Sequence, residues 1–125
     1  MIYLDTHVVA WLYGGRLELF PPAVKQALAT EELRVSPMVV LELQYLFEVG
    51  RTTETSDTVI QYLRQRIALQ VCDKAFDRVI LAALEQTWTR DPFDRIIVAQ
   101  AALGNTRLVS KDEMIRAHYR RAFWQ

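Results

Sequence analysis

Short apolar segments alternate with longer helical segments along the whole chain, and this alternation limits the fold more than any other feature. Segments with the length and composition of buried strands lie at residues 2–4, 33–35, 69–72, 107–110 and 122–124. Helices are predicted at residues 6–13, 21–29, 37–49, 57–67, 74–86, 92–103 and 112–119. This order is typical of an α/β fold with an open, mostly parallel sheet that is covered by helices on both faces.

Residues with special backbone preferences mark where these helices begin and end. Thr6 and Ser56 are predicted to cap the first and fourth helices. Ser36 followed by Pro37 is the matching start signal for the third helix, because proline suits the first helical turn. Gly50 is predicted to end that helix.

The composition is that of one soluble globular domain, residues 1–125, on the usual scale of ~100–200 residues per domain. Hydrophobic residues make up 51% and charged residues 24%, which excludes a disordered chain. Lys plus Arg and Asp plus Glu both number 15, so the formal net charge is zero. A strongly basic protein that coats nucleic acid is therefore excluded, whereas a nucleic acid bound briefly as a substrate is not.

Three further classes of protein are excluded or disfavoured. Cys72 is the only cysteine, so no internal disulfide or thiolate zinc cluster can form, and we interpret this residue as part of the core. No apolar run approaches the ~20 residues of a membrane span. The first residues lack a basic region followed by an apolar stretch, so no secretory signal and no membrane partner are expected, and the predicted location is cytoplasmic.

Two aspartates follow predicted strands, at the edge where sites form in parallel sheets. Asp5 comes directly after residues 2–4, and Asp112 follows residues 107–110 by two positions. Either acid could simply cap the next helix. Thr6 is available as the cap beside Asp5, however, which would leave the Asp5 carboxylate free for a site.

Glu42 is predicted to lie on the inward face of the third helix. Met38, Val39, Tyr45 and Leu46 stand one turn away from it and share its face. A carboxylate there costs several kcal/mol or so unless it is paired or binds a metal ion. The alternative is a partly exposed glutamate on a helix that is apolar nearly all round.

Asp91 and Asp94 lie three residues apart where the sixth helix is predicted to start. Acids in a first helical turn interact favourably with the helix dipole, but one acid would be enough for that purpose. Asp94 leads into the apolar stretch of residues 96–103, so its carboxylate is predicted to face a cavity at the end of the sheet.

Acids from four separate segments are thus predicted at one edge of the sheet: Asp5, Glu42, Asp94 and Asp112. Clustered carboxylates raise one another's pKa values unless a cation lies between them. Oxygen ligands without cysteine and with little histidine select Mg²⁺ or Mn²⁺ over zinc. Such an ion activates water and stabilises charge on a phosphodiester, so the predicted chemistry is metal-dependent phosphodiester hydrolysis.

The segments that carry these acids resemble the PIN-domain nuclease family, and within it the VapC-type toxins of prokaryotic type II toxin–antitoxin pairs. The similar segments are Ile2-Tyr-Leu-Asp-Thr-His7, Glu42, Asp91-Pro-Phe-Asp-Arg-Ile-Ile-Val-Ala-Gln-Ala101, Leu108-Val-Ser-Lys-Asp112 and Phe123-Trp124. The Asp-Pro-Phe-Asp-Arg block is the most specific of them. Related sequences often have a histidine two residues before the first aspartate of this block, where this chain has Thr89.

The resemblance implies a three-layer α/β/α sandwich around a parallel sheet of four or five strands. The catalytic, metal-binding acids of the family correspond to Asp5, Glu42, Asp94 and Asp112. Accessory site positions correspond to Thr6, Asp91 and Ser110. Family members cleave RNA with Mg²⁺ or Mn²⁺, which implies a ribonuclease toxin that uses metal-activated water. They also commonly form homodimers, and a cognate antitoxin silences them by inserting into or beside the site.

Four basic side chains are further candidates for contacts to a substrate or for structural roles. Arg116, Arg120 and Arg121 are candidates for contacts to RNA phosphates, although a solvated helix face explains them equally well. We interpret His7 as a structural or substrate-contacting residue, because the motif assigns the chemistry to metal-bound water.

Two non-catalytic alternatives stay open. A receiver-type signalling module also has acids at strand ends, and Asp73 and Lys111 lie near plausible positions for its phospho-acceptor and its lysine. The adjacent acidic pair of such a module is absent, however, because Thr6 follows Asp5, and Glu42 would have no role in it. The second alternative is a PIN scaffold that binds without turnover.

Overall fold

A computed structural model describes all 125 residues of the chain. The strands are β1 (Ile2–Leu4), β2 (Leu33–Val35), β3 (Gln70–Val71), β4 (Arg107–Val109) and β5 (Ala122–Phe123). The helices are α1 (Thr6–Tyr13), α2 (Pro22–Thr30), α3 (Pro37–Glu48), α4 (Ser56–Ile67), α5 (Phe76–Leu84), α6 (Pro92–Leu103) and α7 (Glu113–His118). A short 3-10 turn at Leu17–Leu19 is the one element that the sequence did not predict.

The five strands form one parallel sheet in the order β3-β2-β1-β4-β5. Ile2 of the central strand pairs with Leu33 on one side and with Arg107 on the other. The strand order reverses between β1 and β4, and this reversal creates the crevice where α/β sheets bind ligands. The predicted α/β/α sandwich is confirmed. No helix combines the length and the apolar character needed to cross a bilayer.

The core lies on both faces of the sheet. All three residues of β1 are buried, as expected for a central parallel strand with helices above and below. Residues 97–101 of α6 are buried as well. Cys72 is 3% exposed and its thiol accepts a hydrogen bond from the Tyr3 hydroxyl at 3.0 Å, so its assignment to the core is confirmed.

Two predicted helix caps are wrong by one residue. Asp5, not Thr6, caps α1: its Oδ1 accepts a hydrogen bond from the Thr6 backbone N–H at 2.8 Å. Thr6 is the first helical residue, so its own N–H needs an acceptor from the residue before it. Thr55, not Ser56, caps α4 and accepts from the Thr58 N–H at 3.3 Å.

β3 and α5 are shorter than predicted because the chain between them makes non-repetitive contacts. The Cys72 N–H donates to the Val35 carbonyl at 2.8 Å and continues the pairing beyond the assigned strand. The Lys74 ammonium then donates to the Tyr3 hydroxyl at 3.3 Å, and Ala75 precedes α5 without a capping side chain. The helix therefore begins only at Phe76.

Candidate active site

A cleft of about 300 Å³ opens at the carboxyl edge of the sheet, beside the switch in strand order. Its lining residues are Asp5, Thr6, His7, Glu42, Leu46, Asp91, Asp94 and Asp112. The structure thus brings together the four predicted core acids and two of the three accessory residues. The third, Ser110, does not line the cleft but hydrogen-bonds to Asp5.

Asp5 is the most constrained acid of the cleft. It follows β1, is only 4% exposed, and uses both carboxylate oxygens. Oδ1 accepts from the Thr6 N–H, and Oδ2 accepts from the Ser110 hydroxyl at 2.7 Å. The His7 Nδ1 atom lies 3.5 Å from the same Oδ2. These contacts offset the cost of burying the carboxylate and fix its orientation.

The loop after β4 places Asp112 at the cleft. The Ser110 hydroxyl oxygen accepts a hydrogen bond from the Asp112 N–H at 3.1 Å while it donates to Asp5. Asp112 Oδ1 accepts from the Ile115 N–H at 3.0 Å and so caps α7. One hydroxyl therefore connects the two strand-end aspartates, and Asp112 lines the cleft and caps a helix at the same time.

Glu42 reaches the cleft from α3 and accepts a hydrogen bond from the Thr6 hydroxyl. Burial raises the pKa of the Glu42 carboxyl, the Thr6 hydrogen bond opposes this shift, and the negative charges of Asp5 and Asp91 add to it. The predicted inward face of α3 needs correction, because Tyr45 is 48% exposed. The core residues of α3 are Val39 and Leu43, so Glu42 lies at the edge of the buried face.

Asp91 and Asp94 divide their roles at the start of α6. Asp91 is the cap, and its Oδ1 accepts from the N–H groups of Phe93 at 2.8 Å and of Asp94 at 3.3 Å. Burial, followed by the negative charges of Asp91, Asp5, Asp112 and Glu42 in that order, raises the pKa of Asp94 to about 7. Asp94 is therefore the residue that responds to all the other acids of the cleft.

The donor set of the cleft fits a hard divalent cation. None of its carboxylates has a lysine or arginine nitrogen within 4.0 Å, and His7 is the only basic side chain within that distance of one of them. No three of these side chains are close enough together to coordinate one metal ion in their present positions. Oxygen donors with uncompensated negative charge are what Mg²⁺ and Mn²⁺ bind.

The three predicted phosphate-binding arginines lie in two different places. Arg116 is close to the cleft, where its Nη2 donates to the Lys111 carbonyl at 3.0 Å. Arg120 and Arg121 line a separate groove of about 550 Å³, together with Arg107. This groove contains residues of α2 and β5 and shares none with the acidic cleft.

The sequence predicts a structural or substrate-contacting role for His7 and does not place it among the site residues. It lines the cleft, and its Nε2 accepts a hydrogen bond from the Lys111 backbone N–H at 3.0 Å. Burial lowers the pKa of His7, and the charges of Asp5 and Asp112 oppose this effect. Its position two residues after Asp5, within the first turn of α1, was the available signal.

The receiver-type interpretation is wrong. Its phospho-acceptor candidate, Asp73, follows the edge strand β3, which β2 separates from β1 and Asp5. Receiver-type sheets have the order 2-1-3-4-5, whereas this sheet has the order 3-2-1-4-5.

The parallel sheet and its acidic crevice define an α/β/α domain with a carboxylate site. The model of the PIN domain family matches residues 2–121, and the chain therefore belongs to this family. The chain is 31% identical over 121 residues to Ribonuclease VapC22 of Mycobacterium tuberculosis, with 94% of this chain and 91% of that protein covered. The family resemblance of the acid-bearing segments is thus confirmed.

Solved structures with the same fold come from toxin–antitoxin complexes. A complex from Klebsiella pneumoniae aligns with a TM-score of 0.68 and 19% identity over 98% of this chain and 96% of that chain. VapBC2 from Rickettsia felis, bound to a DNA fragment from its promoter, aligns with a TM-score of 0.67 and 19% identity over 94% of this chain and 92% of that chain. VapBC-1 from nontypeable Haemophilus influenzae aligns with a TM-score of 0.63 and 20% identity over 100% of this chain and 97% of that chain.

Proposed function

We propose that this chain is a Mg²⁺- or Mn²⁺-dependent ribonuclease that acts as the toxin of a toxin–antitoxin pair. Residues 1–125 would function as a single PIN-like nuclease domain in the cytoplasm. The observation that carries the proposal is the convergence of carboxylates from four segments in one cleft that contains no basic partner except His7. The ribonuclease name of the relative from M. tuberculosis supports the same activity.

The four core acids, Asp5, Glu42, Asp94 and Asp112, would hold the cation. A bound divalent ion activates water and stabilises the charge that develops on a phosphodiester. Asp5 is held rigidly for this role by the Ser110 hydroxyl and the Thr6 N–H. Because the pKa of Asp94 is about 7, its carboxyl is protonated in a fraction of the molecules at neutral pH. Binding of a cation would displace this proton.

Accessory residues would set the orientation of these acids. The Thr6 hydroxyl holds Glu42, and the Ser110 hydroxyl holds Asp5 and the Asp112 N–H. Asp91 fixes the first turn of α6 and adds negative charge beside Asp94. We assign Asp91 to this supporting role and Asp94 to the cation.

Basic residues would bind the RNA backbone away from the acids. Arg120 and Arg121 are exposed and have no carboxylate within 4.0 Å, and they line the same groove as Arg107. Guanidinium groups there can hold phosphates by releasing counterions, which the acidic cleft cannot do without a cation. Arg116, beside Asp112, would contact the phosphate nearest to the cleft.

The chain would act with two protein partners, a cognate antitoxin and a second copy of itself. The similar structures contain VapBC or other toxin–antitoxin complexes, which supports an antitoxin partner. Leu41 and Tyr45 on α3 and Phe76 on α5 are all about half exposed or more, which supports a homodimer that covers them. Light scattering of the purified chain should give twice the mass of 14.5 kDa, and a monomer would contradict the homodimer.

RNA cleavage in vitro tests the enzymatic proposal. The wild type should cleave RNA with Mg²⁺ or Mn²⁺ and lose this activity in EDTA, and Asp5→Asn should be inactive while still folded. Expression of the wild type without a partner should arrest growth. If the wild type binds RNA but cleaves none under any divalent ion, the chain is a non-catalytic PIN scaffold and the proposal is wrong.

A further inference from the structure

We propose that His7 is a positioning residue that holds the loop carrying Asp112 against α1. The loop of residues 110–112 joins β4 to α7 and delivers Asp112 to the cleft. Its middle residue, Lys111, donates its backbone N–H to His7 Nε2 at 3.0 Å. The effect on RNA cleavage rests on the proposed function, whereas the hydrogen bond between His7 and Lys111 can be measured without cleavage.

The contact fixes the orientation of the His7 ring. Because Nε2 accepts a hydrogen bond, the neutral ring carries its proton on Nδ1, and this atom lies 3.5 Å from Asp5 Oδ2. The ring also packs edge-on against Trp11, with centroids 5.1 Å apart, and lies 6.1 Å from the ring of Trp124. Both nitrogens therefore face parts of the acidic site, and the aromatic neighbours keep them there.

The Lys111 backbone is hydrogen-bonded at both its N–H and its carbonyl. Arg116 Nη2 donates to its carbonyl at 3.0 Å, and His7 accepts from its N–H. The Lys111 side chain is exposed, and its ammonium lies 5.8 Å from the centroid of the Trp11 ring, so the two backbone hydrogen bonds are the directional contacts that hold this loop. Ser110 is anchored separately through Asp5. The Asp112 N–H keeps its hydrogen bond to the Ser110 hydroxyl. Loss of the His7 contact should therefore loosen Lys111 most and displace Asp112 by less, while β4 and Ser110 stay in place.

Three substitutions of His7 test whether the loop needs only a hydrogen-bond acceptor at the position of Nε2 or another property of the imidazole ring. In His7→Gln the side-chain oxygen can occupy the position of Nε2 without providing an acid or base. His7→Asn has the same chemistry but a shorter side chain, and His7→Leu has no acceptor. The measurements are hydrogen exchange at the Lys111 amide and the separate values of kcat and KM for RNA cleavage with Mg²⁺.

We expect Lys111 exchange to accelerate about three- to tenfold in the Leu and Asn variants, the usual effect of losing one hydrogen bond. Their kcat should fall about tenfold or more because Asp112 is misplaced, with a smaller change in KM. His7→Gln should restore both. Unchanged Lys111 exchange in His7→Leu, or equal loss of kcat in the Gln and Leu variants, would overturn the proposal. A wild type that cleaves no RNA would refute the proposed function. The exchange data would still show whether His7 holds the Lys111 backbone in place.

Discussion

At the residue scale, the acids of the cleft show that capping a helix and forming a site are compatible roles. Asp5 caps α1 through Oδ1 and presents Oδ2 to Ser110 and His7. Asp112 caps α7 and still lines the cleft. The sequence indicated which acids stand at strand ends, but capping and site formation remained alternatives at that stage. The direction of each carboxylate depends on the folded backbone, which the sequence does not show.

The raised pKa of Asp94 predicts a contribution to the stability of the metal-free protein that is lost as the solution becomes alkaline. Its pKa of about 7, against an ordinary value of 3.8, means that the folded state binds the proton more tightly than the unfolded chain does. The stabilising contribution is therefore complete below the ordinary pKa and is lost as the pH rises through 7. The raised pKa of Glu42 acts in the same direction.

Urea unfolding in EDTA measures this effect. Between about pH 5 and about pH 8 the wild type should lose on the order of 1–2 kcal/mol more than Asp94→Asn, after allowance for solvent screening of a half-buried group. Identical pH dependence of the two proteins would show that Asp94 titrates normally. Added Mg²⁺ should remove most of the loss in the wild type.

Substitution of Asp112 should separate its structural role from its catalytic role. Asp112→Asn keeps an oxygen that accepts from the Ile115 N–H, so the free energy of unfolding should change by less than about 0.5 kcal/mol. Asp112→Ala loses the cap and should cost about 1 kcal/mol. Both variants should cleave RNA at least about a hundredfold more slowly. An Asn variant with wild-type activity would leave Asp112 as a cap only.

At the element scale, boundaries were predictable where a single residue determines the backbone. Ser36 caps α3 by accepting from the Met38 N–H at 3.1 Å, and Gly50 after this helix has a φ of +79°, both as predicted. The start of α5 was not predictable, because the contact of Lys74 with Tyr3 joins residues 71 positions apart. The strand order was not predictable for the same reason, since no local pattern records which strands become neighbours.

Ala68 provides a direct test of backbone strain at one helix end. It ends α4 with a φ of 56° and a ψ of 32°, the left-handed conformation that favours glycine. Its N–H donates to the Arg64 carbonyl, so the turn is held by the helix itself. Ala68→Gly should raise the free energy of unfolding by about 0.5–1 kcal/mol because the left-handed strain is relieved.

Ala117→Gly is the matched control for this substitution, because Ala117 is exposed within α7. It should lower the free energy of unfolding by about 0.5–1 kcal/mol. If Ala68→Gly destabilises the protein as much as Ala117→Gly does, the left-handed turn does not exist in solution.

At the scale of the whole molecule, the zero net charge hides a local separation of acidic and basic residues. Uncompensated acids line the cleft at the carboxyl edge, while Arg107, Arg120 and Arg121 line the groove along α2 and β5. The sequence predicted the acid cluster because parallel strands end at a common edge. It did not predict that Arg116 lies apart from Arg120 and Arg121, because α7 ends between them.

The salt dependence of RNA binding tests the groove. With Mg²⁺ and an RNA whose backbone resists hydrolysis, Arg120→Ala combined with Arg121→Ala should weaken binding. The slope of log K against log salt should fall by about 1.4, or about 0.7 for each phosphate contact to a single strand. Arg64→Ala, an exposed arginine on α4, is the control and should leave the slope unchanged. Equal slopes in all variants would remove the groove from the RNA-binding surface.

The central claim is that the carboxylates at the sheet edge form a cation-dependent centre for RNA cleavage. Single-turnover cleavage of RNA with Mg²⁺ at neutral pH tests it most directly, with Asp94→Asn compared with Glu48→Gln, an exposed acid on α3 outside the cleft. We predict wild-type rates for Glu48→Gln, a loss of at least about a hundredfold for Asp94→Asn, and no cleavage in EDTA. Cleavage by Asp94→Asn at the wild-type rate, or wild-type cleavage that persists in EDTA, would contradict the claim.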